Sequence, residues 1–424
     1  MRLKLWHISF LYLLIIIFVN TGKVLDGLNL FYNFILLLFY DFNFAINQIN
    51  FSLVDVFLSS LLIIILPVLI LIKKKKFNWL NSGVSFSGIV FIALISFFIL
   101  APVIAPFNPD FQKNISVTKL LKPFESKIKI SIINQKEEKQ NPKDKFLVLK
   151  NESIMRSFDS NIIYADSTQI GNQIVCYQSV NKVIIDLKGK KINNFCEIES
   201  TLFLLGTDEY GRDIFSRIIY GTRISLFIGL CSVLVTFILG ISLGFIAGYQ
   251  GGIINSFLNH TTDMFLTFPV IFLIILIISL FGGSLFALII VLGISGWMSL
   301  FKIVRSEVMS IKNKDYFLSA KKIGLSSSNL MMKEILPVIL TSVIVNIVFQ
   351  FGNVILAESA LSYLGLGAGN SYPSWGKMIE DGQVYLSQAW WMIFFPSLIL
   401  FSTLYSANNI AGRINTSLKK KLET

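Results

Sequence analysis

The stretch "GTDEYGRD", Gly206 to Asp213, gathers three acids, an arginine and two glycines within eight residues. Two chemistries use such a set. A phosphate loop has the form G-x-x-x-x-G-K-[ST], with lysine on the phosphates and the hydroxyl on magnesium. Gly206 and Gly211 have its glycine spacing, but Arg212 and Asp213 occupy the last two places, and an aspartate there repels phosphate. A glycosidase-like carboxylate pair, Asp208 with Asp213, requires a carbohydrate cleft that nothing in the sequence indicates. A structural reading fits better. Gly206 and Gly211 permit tight turns, and Asp208 and Asp213 are placed to cap early helix amides. Arg212, Arg217 and Arg223 then pair with local carboxylates or with lipid phosphates.

The elements that carry this stretch are membrane helices. The chain has 424 residues, 54% hydrophobic and only 15% charged, with a mean hydropathy of +0.68. A water-soluble protein of that size has too few charges to cover so much apolar surface. Six core spans are expected, at about 87–106, 225–248, 264–281, 285–304, 338–357 and 389–408. "KKKK", Lys73 to Lys76, precedes the first and fixes its start on the cytoplasmic side. Alternation then puts 107–224 outside, 249–263 inside, 305–337 inside and the C-terminus inside. Trp390 and Trp391 fall where an outer aromatic belt belongs. In the first 76 residues, 5–20 and 53–72 are apolar enough to span. Residues 28–47, interrupted by Asn33, Asp41 and Asn43, suit an interfacial or re-entrant piece. Two spans here give eight in total; three, with the N-terminus outside, is the alternative.

Residues 107–200 change character, with 15 Lys/Arg and 11 Asp/Glu. The alternations "KIKISII" from Lys127, "KFLVLK" from Lys145 and "KVIIDL" from Lys182 read as strands of a small β-rich lobe outside the membrane. The polar run "NQKEEKQNPKD" separates the first two as a turn. Cys176 and Cys196 fall in it, where either a disulfide or two free thiols is chemically allowed. Cys231 is a small packing residue in an apolar segment. Three cysteines without CxxC, and two histidines, give no reason to expect a metal or haem. The net charge of +12 concentrates at span ends, so nucleic-acid binding is not expected.

Two further patterns matter. Gly240, Gly244 and Gly248 recur every four residues and make one helix face nearly free of side chains, suited to close packing in lipid. On the cytoplasmic side, "DYFLSAKKIGLSSSNLMMKEILP" runs from Asp315 to Pro337. It reads as a helix to Lys322, a left-handed cap at Gly324 and N-caps from Ser326 to Ser328. A second short helix, "NLMMKEIL", follows, and Pro337 starts a span. A capped 33-residue loop between tightly connected spans suggests a docking surface for a cytoplasmic partner.

"SAKKIGLSSSNLMMKEILP" resembles the "EAA" cytoplasmic loop of ABC-importer permeases, E-A-A-x-x-x-G followed by a histidine-x-Leu-Pro ending. Ser319, Ala320, Gly324 and Pro337 fall in register. Leu318 stands at the first position, Glu334 at the histidine position, and Arg413 where an acid is usual. The segment from Gly206 through Thr207, Asp208, Gly211, Arg212 and Asp213 to Leu226 is similar to the entry motif of the C-type permease subunit of dipeptide and oligopeptide importers. "AESALSYLGLGAGNSYPSWGKMI", from Ala357, resembles that branch's segment after the fifth span. The resemblance covers about 77–111 and 201–424. It implies an all-α polytopic protein of the bacterial plasma membrane with a six-span permease core; the N-terminal membrane extension (1–76) and the β-rich extracytoplasmic insertion (112–200), read from composition and patterning, lie outside it. It also implies a second permease subunit, two cytoplasmic ATPase subunits docked on 305–337, an extracytoplasmic solute-binding protein, and a short peptide as substrate, with nickel or another small solute as the alternative. No cofactor and no catalysis by this chain are implied. A secondary transporter is expected to place ionisable groups mid-span; the central portions of these spans carry none. A membrane-anchored enzyme built on the 107–200 lobe finds no nucleophile–base or metal constellation to support it.

Overall fold

The computed structural model describes residues 4–73, 83–132, 141–154, 162–170, 173–178, 181–186, 196–326, 329–369 and 373–423. Lys74 to Lys76, Lys139, Ser327 and Ser328, which figure in the sequence reading, lie outside them. The chain forms two compact units, Met1–Arg223 with Asp381–Pro396, and Ile224–Glu380 with Ser397–Thr424.

The first unit begins with α1 (Leu5–Val19), α2 (Thr21–Tyr40), α3 (Phe42–Asn47), α4 (Phe51–Lys73) and α5 (Phe86–Ile104). Among the described residues, α2 and α4 are long and apolar enough to span, whereas α1 is shorter. α1 runs alongside α5: Leu5 meets Gly88, and Lys23, just past the end of α1, donates to the Ala105 carbonyl. Residues 28–47 fall on α2 and α3, and Asn33 donates to the Asn29 carbonyl and side chain, both at 2.8 Å, so its amide is satisfied within the helix. Asp41 ends α2 and caps α3 by accepting from the Phe44 amide.

After α6 (Ile115–Thr118) come β1 (Glu125–Ile132), α7 (Pro142–Ile154), β2 (Ile162–Ala165), β3 (Ser167–Ile170), β4 (Gln173–Gln178), β5 (Asn181–Asp186) and β6 (Cys196–Phe203). They make two antiparallel three-stranded sheets, β2-β1-β6 and β3-β4-β5. "KFLVLK" is not a strand but part of α7. Phe146, fully buried, and Leu149, one turn on, pack against Leu30, Phe34, Leu37, Leu53 and Phe57 of α2 and α4. Lys143 pairs with Asp41 at 2.6 Å, and Lys150 donates to the Gln48 carbonyl and side chain. A helix presents Lys143, Phe146 and Lys150 on one side; a strand alternates them.

The second unit contains most of α8 (Ile214–Gln250), α9 (Gly252–Thr267), α10 (Val270–Phe281), α11 (Leu285–Lys312) and α12 (Asp315–Lys322). A π-helical turn (Leu330–Ile335) then runs into α13 (Leu336–Tyr363), followed by α14 (Trp375–Gln383) and α15 (Trp391–Glu423). The expected span at 264–281 is a bent pair. α9 and α10 meet at 86°, because Pro269 offers no amide and forces Phe268 into extended backbone. With that pair counted once, the described residues hold up to eight spans.

The glycine seam lies in this unit, against α11. A Cβ at Gly240 would stand 2.8 Å from Leu300 Cβ, one at Gly244 2.8 Å from the Phe301 carbonyl, and one at Gly248 2.8 Å from Val308 Cβ. The seam is two-sided. Gly293 of α11 lies against Val235, and Thr236 donates to the Gly293 carbonyl at 2.8 Å.

Candidate functional site

The stretch Gly206–Asp213 folds into a compact knot within the first unit. Gly206 and Gly211 have φ of +81° and +75°. A Cβ on either would collide with the Leu121 carbonyl or the Thr118 hydroxyl, so the knot demands glycine at both. Thr207 is completely buried; its hydroxyl donates to the Thr118 carbonyl and accepts from the Leu121 amide. Its own carbonyl accepts from the Trp391 indole at 3.1 Å. Trp391 is thus buried against the knot and is not part of a lipid-facing belt; Trp390 beside it is half exposed.

The acids divide their work. Asp208 accepts from the Tyr210 and Arg212 amides, closing the turn itself and not a helix. Its second oxygen accepts from Arg212 Nε at 2.6 Å and stands in an ion pair 3.2 Å from Arg217 Nη1, which makes no hydrogen bond. Asp381, from the distant α14, faces the same two arginines at 3.9 and 3.5 Å. Asp213 is the N-cap of α8, accepting from the amide and hydroxyl of Ser216 at 2.8 and 2.6 Å. Burial pushes its carboxyl up to about 6, against the pull of those hydrogen bonds. Burial, and next the charge on Asp208, raise Glu209 as well. Arg223 lies over the Tyr220 ring and takes its carboxylate from Asp55 of α4.

Asp208 and Asp213 are held by hydrogen bonds and ion pairs, while the buried Oε2 of Glu209 has no hydrogen-bond partner. Among the described residues no group of three or more His, Cys, Asp and Glu side chains can hold a metal.

The cytoplasmic-loop residues gather in the second unit. Phe317 of α12 is buried in a cluster with Val304, Val308, Ile311, Leu330 and Ile335, and Ala320 packs on its edge. Ser319 is exposed, Gly324 turns the chain at φ +89° with open space around it, and Pro337 sits in the first turn of α13. Glu334 is half-buried. There is no separate second short helix: the π turn feeds α13 without a break, started by Ser326, which accepts from the Asn329 amide. Around Phe317 the loop leaves Tyr316, Leu318, Ile323 and Leu325 exposed, Ile323 by 82%.

Sequence reasoning missed one set. Glu358 of α13 is fully buried and holds the hydroxyls of Ser362 at 2.9 Å and Ser359 at 3.4 Å, with those of Ser225 and Ser374. Ser225 also accepts from the Trp375 amide. One carboxyl thereby fastens α8, α13 and the start of α14 within the second unit. The spacing Glu358, Ser359, Ser362 was its visible signal.

Residues 240–420 match the family described as "Binding-protein-dependent transport system inner membrane component". The chain is 38% identical to the dipeptide transport system permease protein DppC of Bacillus subtilis, over 51% of this chain and 68% of that protein. It is 34% identical to the oligopeptide transport system permease protein OppC of the same organism, over 51% of this chain and 71% of that one. Among solved structures, a chain of the MetNI methionine ABC transporter in an inward-facing form aligns at TM-score 0.39 and 14% identity, covering 47% of this chain and 97% of that one.

Proposed function

The chain belongs to the binding-protein-dependent inner-membrane permeases, in the branch of the dipeptide and oligopeptide subunits, and from that membership we propose that it forms half of the translocation path of an ATP-driven importer of short peptides. The exposed apolar rim of the 305–337 loop carries the reading. Tyr316, Leu318, Ile323 and Leu325 stand out from a helix that Phe317 roots in the bundle. An ATPase groove that takes this rim pushes on Phe317, and Phe317 touches both α11 and the turn leading into α13. Closure of the ATPase pair is thereby delivered to two spans together, which is what alternating access requires.

Hydrolysis belongs to separate subunits, since Gly206 and Gly211 lack the lysine and hydroxyl that complete a phosphate loop, and Asp208 and Asp213 beside them are held by hydrogen bonds and an ion pair. A second permease completes the path, and a solute-binding protein delivers substrate from outside. The entry knot and the Glu358 cage hold the extracytoplasmic ends of their spans. The test is uptake of a panel of labelled di- to pentapeptides by cells lacking this gene and by complemented cells, with labelled nickel in parallel. Restored peptide uptake is expected. Restoration of nickel uptake alone assigns the permease to a metal, and restoration of neither sinks the importer reading.

A further inference from the structure

The inserted lobe contains two of the three cysteines of the whole chain. They stand on different sheets. Cys176 lies mid-strand in β4, between Thr168 of β3 and Val183 of β5. Cys196 opens β6, opposite Ile132 at the end of β1. Alternation turns both inward: Ile128, Ile130 and Ile132 of β1, Cys196 and Ile198 of β6, Ala165 of β2, and Ile174 and Cys176 of β4 form one apolar cluster that spans the two sheets. In that small core both thiols are buried, at 0% and 2% exposure. Each is free. Burial raises both thiols, and the charge of Cys196 adds to the rise at Cys176.

We propose that Cys176 and Cys196 are a modification site, joined by an inter-sheet disulfide when the lobe folds outside the cytoplasm. The inference rests on the reading of the insertion as extracytoplasmic. The oxidant is a protein disulfide of the thiol-oxidising class. One cysteine thiolate attacks a sulfur of that disulfide and releases one thiol, leaving a mixed disulfide. The second thiolate then attacks the mixed disulfide and releases the other. Two thiols and one disulfide become one disulfide and two thiols, with both protons on the departing sulfurs. Thiols this buried, held protonated by their surroundings, do not react in the closed lobe; oxidation takes place before the sheets pack. The same burial then shields the bond from reductants. Its role is to tie β4 of one sheet to β6 of the other.

The experiment counts thiols in the full-length protein. Membranes are acid-quenched, denatured, and treated with a maleimide–polyethylene glycol, with and without prior reduction. One adduct, on Cys231, is expected without reduction and three after it. A Cys231→Ser variant is expected to give none and two. Three adducts without reduction overturn the proposal, as does any adduct on unreduced Cys231→Ser protein. An Ile184→Cys variant separates the two ways of failing, since Ile184 is 61% exposed on β5. Labelling of that residue on intact cells by an impermeant maleimide, together with three free thiols, refutes the bond and leaves the topology standing. Labelling only after permeabilisation refutes the topology, and the bond with it.

Discussion

Arg223 of α8 grips Asp55 of α4 with two parallel hydrogen bonds, Nη1 to Oδ2 at 2.5 Å and Nη2 to Oδ1 at 2.9 Å. The same guanidinium donates to the Phe98 carbonyl at 2.7 Å and the Ile99 carbonyl at 3.2 Å. Phe98 lies four residues before Pro102, which has no amide to give it, and α5 kinks at Leu100. An arginine of the entry segment thus satisfies a carbonyl orphaned by proline, and the N-terminal extension supplies its counter-charge.

Asp55→Ala leaves Arg223 its backbone carbonyls but no counter-charge, a loss of about 3–5 kcal/mol for a buried pair. The side chains are 15% and 16% exposed, so little solvent is on hand to screen the change. Thermal unfolding of detergent-solubilised protein should drop sharply for Asp55→Ala and for Arg223→Leu alone. The double variant is expected to lose much less than the sum; additive losses would show that the pair is not coupled.

Gly324→Asp is expected to abolish uptake and co-purification of the ATPase subunits, while membrane insertion stays normal. The position is solvent-open, so the added carboxylate meets the partner and not the fold. A backbone at φ +89° adds strain of about 1–2 kcal/mol, too little to unfold the bundle. Ala320→Asp tests the same surface from the helix side. Unchanged uptake in both would remove the docking role from this loop.

Gly244→Leu forces a side chain into the Phe301 carbonyl and Val304. Overpacking of this kind costs about 1–3 kcal/mol. Lower thermal stability is expected, with a milder loss for Gly244→Ala. A variant as stable as the parent would mean that α8 and α11 do not meet along this face.

The pH dependence of stability carries the mark of Asp213. Its folded-state carboxyl lies at about 6, above the roughly 3.9 of an unfolded aspartate. The folded state therefore binds the proton more tightly, and the associated stability is full below pH 4 and lost as pH rises through 6. About two units correspond to about 3 kcal/mol. Between pH 4 and 7 the parent should lose stability that Asp213→Asn, which keeps the cap acceptor, does not lose. Equal slopes would place the charged form in a better-solvated site.

Where sequence and structure agree or part has physical causes. The long apolar runs of α8, α11 and α13 need no partner to be recognised, because length and composition suffice in lipid. The glycines at 240, 244 and 248 were visible as a face, yet their partners on α11, Leu300, Phe301 and Val308, were not, since they are meaningful only once the two helices are laid together. "KFLVLK" alternates like a strand over six residues, and only the α2–α4 hairpin, a hundred residues earlier, provides the surface that makes it helical. Pro269 announced the break between α9 and α10, but continuous hydrophobicity on both sides masked it. Asp381 and Asp55 are remote in sequence from the arginines they meet, so no local pattern reports them.

The grip of α7 on the α2–α4 turn, through Phe146, Lys143 and Lys150, has a consequence for building hybrids. Cutting out the lobe bares Leu30, Phe34 and Phe57 on the hairpin, and cutting out the hairpin bares Phe146. Grafted onto another protein, either part alone arrives with an open hydrophobic wound. Moved together, with an arginine in the host to meet Asp55, they travel as one cassette.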